Sequence, residues 1–173
     1  MRRLIAVLAF LLGATAAPSA LADVRYLAFD ASDRVTQTLT RGLTLEVQRG
    51  LFGAVRAERI YSTTSRGSAE IRSGGPDGVL RVLPEGARET SIYTIPFDGD
   101  GRPLARALCP GSEEAYLVLG RVRAGRPLTM QAVGRWADGQ FRHCVTLSYV
   151  YRGEWALPAR PAPGQSPLSP GPR

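Results

Sequence analysis

The amino-acid sequence predicts an all-β protein: a single antiparallel β-sandwich or partly closed barrel over residues 23–156, with a C-terminal meander at 114–151 and one disulfide. Three observations carry that expectation. Short apolar or alternating runs recur along the chain, separated by Gly, Pro and Asp turn residues. One segment, Leu128 to Tyr151, sorts its side chains into an apolar and a polar face about a hairpin turn. Two cysteines, Cys109 and Cys144, stand alone as a pair.

Residues 1–22 lie outside that domain and read as a cleavable export signal. Met1-Arg2-Arg3 is basic, Leu4 to Leu12 is unbroken apolar, and Ala20-Leu21-Ala22 is a small-x-small cleavage site. The apolar run is much shorter than the ~20 residues of a membrane-spanning helix. No cysteine stands at the cleavage site, which argues against a lipid anchor, and no later run is long and apolar enough to span a bilayer. The expected location is the periplasm or the exterior.

Along the domain, Val24 to Phe29 reads as a strand. Val35 to Arg49 carries two signals. Val35, Leu39, Leu43 and Val47 recur at helical spacing, yet Thr36, Thr38, Thr40, Thr44, Glu46 and Gln48 alternate. The threonines and Gly42 oppose a helix, so a strand bent near Arg41-Gly42 is expected. Val55–Thr63, Val79–Leu83 and Thr90–Phe97 are further strands.

Asp98-Gly99-Asp100-Gly101 resembles part of a calcium loop, but Pro96 and Ala107 then fall where ligands are needed, so a hairpin loop before Arg102-Pro103 is expected. Glu114 to Arg123 is a strand apolar on both faces up to Leu119. Ala124-Gly125-Arg126-Pro127 turns the chain into Leu128.

Asp138-Gly139 then fixes a two-residue hairpin. In that register Trp136 opposes Phe141, Gly134 opposes His143, and Ala132 opposes Val145 on the apolar face. Arg135 opposes Arg142 and Val133 opposes Cys144 on the polar face. A Cys109–Cys144 bond would fold Leu104–Gly111 over that polar face, and would add roughly 3–4 kcal/mol through loop closure. After Leu157 the chain is rich in Pro, Ala, Gly and Ser, so 157–173 is expected to be a disordered tail.

All 22 basic residues are Arg, and the formal charge is +7. Cleavage of the leader removes Arg2 and Arg3 and leaves +5. Forked guanidinium contacts suit phosphate, sulfate and carboxylate. Codon bias towards Arg is the bland explanation, and the arginines are scattered rather than clustered.

Nothing in the pattern asks for a cofactor or a metal. The cysteines lack a Cys-x-x-Cys spacing. His143 is the single histidine, and it neighbours Cys144 on an alternating strand. The Gly-x-Ser-x-Gly elbow of serine hydrolases is missing. The point of tension is Arg135 opposite Arg142, because like charges directly opposed are unfavourable. Two solvated side chains splaying apart would relieve the contact; otherwise an acidic side chain or a bound anion should neutralise them, and Arg121 and Arg123 could reach the same face.

The expected function is therefore non-catalytic: an exported envelope protein that binds a protein partner or an acidic glycan or lipid through Arg135, Arg142, Arg121 and Arg123. No specific nucleic acid is expected. A small hydrolase using His143 is the alternative from another class. A structural or assembly role tethered by the Pro-rich tail is a third.

Overall fold

In a computed structural model, the structure describes residues 23–50, 55–64 and 68–156. The leader and the Pro-rich tail lie outside the described residues.

The elements in chain order are β1 (Asp23–Ala31), α1 (Arg34–Leu39), β2 (Gly42–Arg49), β3 (Val55–Ser62), β4 (Ser68–Glu70), β5 (Arg72–Ser73), α2 (Gly78–Arg81), β6 (Ser91–Ile95), α3 (Gly101–Leu108), β7 (Glu114–Leu119), β8 (Leu128–Arg135) and β9 (Phe141–Ala156). Every described pairing is antiparallel. The sheet runs β4-β3-β2-β1-β9-β8-β7-β6-β5.

Its two end strands are neighbours in the chain, separated only by Ile71. Residues 68–70 pair with β3 and residues 72–73 with β6. The Ile71 N–H donates to Glu58 O at 2.9 Å and the Gly74 N–H to Ile92 O at 2.8 Å, which continues both ladders. Counted as one bent strand, β4 and β5 reduce the nine strands to a nearly closed ring of eight. Of the two architectures expected from sequence, the barrel is the one realised. Its order is a simple up-and-down meander completed by the β1–β9 pair.

Eight strands leave an interior that side chains just fill. The inward residues are Leu27 and Phe29 of β1, Leu43, Leu45 and Val47 of β2, and Ala115, Leu117 and Leu119 of β7. Leu128, Met130 and Ala132 of β8 join Leu147 and Tyr149 of β9. This is the apolar face that the hairpin register identified.

The opposite face of the central strands is covered as well. Tyr116, Val118 and Val133 are buried under Val79 of α2, with Val82, Leu83, Ile92 and Phe141 packed around them. Double burial explains why β7 reads as apolar throughout.

Helices close one end of the barrel. α3 buries Gly101, Leu104, Ala105 and Leu108, the i, i+3, i+4, i+7 stripe of an amphipathic helix. A Cβ at Gly101 would stand 2.1 Å from Pro96 O, so only glycine lets the helix start this close to the end of β6. α1 sits beside β9. Its cap Asp33 accepts from the Thr36 N–H at 2.9 Å and from the Thr36 hydroxyl at 2.6 Å. Thr36 Oγ1 in turn accepts from the Ser148 N–H at 2.9 Å.

Several expectations are corrected. The first half of Val35–Arg49 is helix α1, not strand. The Asp33 cap and the anchoring of Thr36 on β9 outweigh the low helix propensity of threonine. The break falls at Arg41, whose φ of 58° is left-handed. Val79–Leu83 contains helix α2, whose Val79 seals the outer cluster. The segment after Asp98-Gly99-Asp100 is helix α3.

The hairpin register holds from Leu128–Tyr149 to Ala132–Val145 and then shifts. Val133 pairs with His143, Gly134 with Arg142, and Arg135 with Phe141, leaving Cys144 as the extra residue of a β-bulge. At the tip the Trp136 N–H donates to Gln140 O at 3.1 Å. Gly139 is left-handed, with φ 77°. The loop is therefore Ala137-Asp138-Gly139, three residues with a glycine bulge rather than two.

Arg135 and Arg142 are thus not cross-strand partners. Beyond the bulge the faces exchange. His143 lies on the outside with Val133, and Cys144 packs against the interior cluster. There it bonds Cys109, whose side chain is fully buried at the end of α3. The 104–111 segment accordingly caps the barrel end instead of covering the polar face.

Candidate functional site

Arg121 and Arg123 belong to the end of the barrel opposite α3. Beyond β7 the chain continues extended, and the Gly120 N–H donates to Thr129 O at 3.2 Å. Val122 turns inward and joins the core. Alternation then sends Arg121 and Arg123 out on either side of it, and both are exposed. Gly125, at φ 74°, turns the chain back into β8.

Arg49, at the end of β2, faces the same space. Together Arg49, Arg121 and Arg123 rim a cavity of about 650 Å³ whose walls include Val55, Ser91, Tyr93 and Val122. None of the described residues lining it is acidic. Tyr93 is nearly buried, and its hydroxyl accepts from the Ala57 N–H at 3.4 Å.

Glu154 stands at the same level on β9. It approaches Arg25 at 3.7 Å and Arg49 at 3.9 Å. Its Oε1 is buried and makes no hydrogen bond among the described residues. Arg49 is therefore held at the mouth by its charge contact with Glu154. The arrangement can bind an oxyanion: guanidinium groups from separate elements, an apolar floor, and one hydroxyl-bearing serine.

Arg135 and Arg142 lie at the opposite end, near the hairpin tip, and each has a carboxylate partner. Arg135 Nε donates to Glu114 Oε2 at 2.9 Å and Nη2 to Glu114 Oε1, a forked pair. The Tyr116 hydroxyl also donates to Glu114. Arg135, then Tyr116, hold the Glu114 carboxyl down at about 2. Burial, then that carboxylate, push the Tyr116 phenol up to about 12. Arg142 donates to Asp138 and lies 5.1 Å above the Trp136 ring. The structure brings Arg121 and Arg123 together and leaves Arg135 and Arg142 apart from them. Arg49 escaped the sequence reading because its place at the mouth depends on barrel closure.

His143 is half-buried on the outer wall. Its Nε2 lies 2.9 Å from Gln131 Oε1, which also accepts from the Thr146 hydroxyl at 2.6 Å. Gln131 Nε2 donates to Glu89 at 3.2 Å. Burial lowers the His143 pKa. Among the described residues neither a serine nor an aspartate hydrogen-bonds the ring, and the nearest hydroxyl, that of Thr146 at 3.4 Å, is oriented by Gln131.

No family model, no curated protein and no solved structure matches this chain.

Proposed function

We propose that this protein is a non-catalytic binding protein outside the cytoplasm, and that its ligand presents a phosphate, sulfate or carboxylate group to the arginine-rimmed mouth of the barrel. The observation that carries this reading is the convergence of Arg49, Arg121 and Arg123 on one cavity of about 650 Å³, none of whose described lining residues is acidic. An acidic glycan or lipid suits it, because guanidinium groups fork onto such oxyanions. The leader-like residues 1–22 and the Cys109–Cys144 disulfide support a location in an oxidising compartment. The His143 surroundings favour a structural role for that ring: its hydrogen-bond neighbours are an amide and a threonine.

The test is binding of heparin and of lipopolysaccharide over a salt series, with Arg121→Ala/Arg123→Ala and Arg135→Ala/Arg142→Ala double variants. The mouth variant should weaken binding by at least about tenfold and flatten its salt dependence, since each lost contact removes a screened attraction. Unchanged binding in the mouth variant rejects the site. A loss confined to Arg135→Ala/Arg142→Ala would move it to the hairpin.

A further inference from the structure

The outer wall of β9, β1, β2 and β3 carries an ordered row of side chains. In register across the strands stand Trp155, Tyr26, Glu46 and Arg59, continuing to Glu70 on β4. The rings of Trp155 and Tyr26 are 6.4 Å apart and within 13° of parallel. Tyr61, from the adjacent row, comes within 6.3 Å of Tyr26 at a tilt of 50°. Its hydroxyl donates to Glu46 at 2.7 Å, which fixes the tilt. Trp155 is 44 % exposed, a large ring left in water on a rigid sheet. Two residues before it on the same face, Gly153 has no atom within 4 Å of where a Cβ would stand, so the floor beside the indole is open.

Charge and patterning decide what such a row can receive. Single-stranded nucleic acid stacks on aromatic rows only where a basic groove tracks its backbone. Here the groups beside the rings are mixed in charge, so no continuous basic groove tracks the row: Glu46 stands opposite Arg59, and Gln48, hydrogen-bonded to Glu58 at 2.7 Å, stands opposite Arg56. Arg59 stands between Glu46 and Glu70 as their cross-strand partner. A protein partner calls for a contiguous apolar patch of a few hundred Å², but this row turns polar after two rings. A saccharide matches both halves. The C–H face of a pyranose lies on an aromatic ring, and its hydroxyls donate to carboxylate and amide oxygens alongside.

We infer that Trp155, Tyr26 and Tyr61 form a stacking platform for a pyranose ring of a glycan, with Glu46 and Gln48 as hydroxyl acceptors. The platform lies outside the barrel and Arg121 and Arg123 at its mouth, so it stands independently of the anion reading.

The test follows the two indole N–H resonances, assigned with Trp155→Ala, during titration with cellohexaose, maltohexaose and chitohexaose. At least one of these neutral oligosaccharides should shift the Trp155 signal and leave Trp136 in place. Trp155→Ala should weaken that affinity at least tenfold, Trp155→Phe less, and Arg121→Ala/Arg123→Ala not at all. A Trp155 signal unmoved by all three sugars overturns the inference. So does binding that survives Trp155→Ala, or binding lost only in the arginine variant, which would locate the ligand at the mouth.

Discussion

Arg135 shows how one residue position changes a functional reading. Opposed to Arg142 it would demand a counter-ion from outside. Shifted by one, it pairs with Phe141 and its fork reaches Glu114 on the neighbouring strand. Glu114 is held at about 2 against an ordinary 4.5. A carboxylate with a depressed folded pKa stabilises the fold above its unfolded value, and the contribution disappears as pH falls through the folded value. The pair is 35–40 % exposed, so solvent screening keeps its contribution small. Urea unfolding should show wild type more stable than Glu114→Gln at pH 6, with the gap closing between about pH 4.5 and pH 2. A pH-independent gap would show that the ion pair contributes nothing.

The strands were legible because alternation reports which face is buried. From Leu128 to Ala132 the register could be derived from sequence to the residue. It failed where a requirement of the whole fold intervened. Cys144 must face inward to meet Cys109, and a strand alternating strictly from Val145 would point it out. The bulge resolves that conflict and turns His143 outward in the same stroke. The helices were hidden for another reason. α1 and α2 are six and four residues long, too short for a period to declare itself. α3 did carry a signal in Leu104 and Leu108, one helical turn apart after Pro103. Of the mouth, Arg121 and Arg123 were legible as flanks of Val122, while Arg49 required the barrel to close. Since the disulfide ties the α3 cap to β9, replacing both cysteines by serine should lower stability by roughly 4 kcal/mol in the chain-entropy model. The loss should be accompanied by faster amide exchange in residues 101–109 than in β7–β9. Equal acceleration everywhere would mean that the cap and the barrel unfold together.

Viewed whole, the molecule is a ring in which each strand's neighbours in space are its neighbours in sequence, apart from the closing β1–β9 pair. Arg25 is the register partner of Ala156, so the two ends of the domain meet beside the mouth. A circular permutant that links Ala156 to Asp23 through a short glycine-serine segment, opened between Asp138 and Gly139, should keep the far-ultraviolet spectrum. It should melt cooperatively within about 10 °C of the parent, since exposed tips tolerate new termini. Loss of cooperative melting would refute the β1–β9 closure.

The bent strand at residues 68–73 bears on how the protein behaves in a crowd. An open sheet ends in a row of unpaired N–H and C=O groups that can template the strand of another chain. Here the two strands that would be edges are three and two residues long and run into one another. Among the described residues no long ladder is left for a second molecule to extend. Fibril growth and strand exchange are thereby discouraged, and contacts with other molecules fall to side chains, where charge and ring chemistry select the partner.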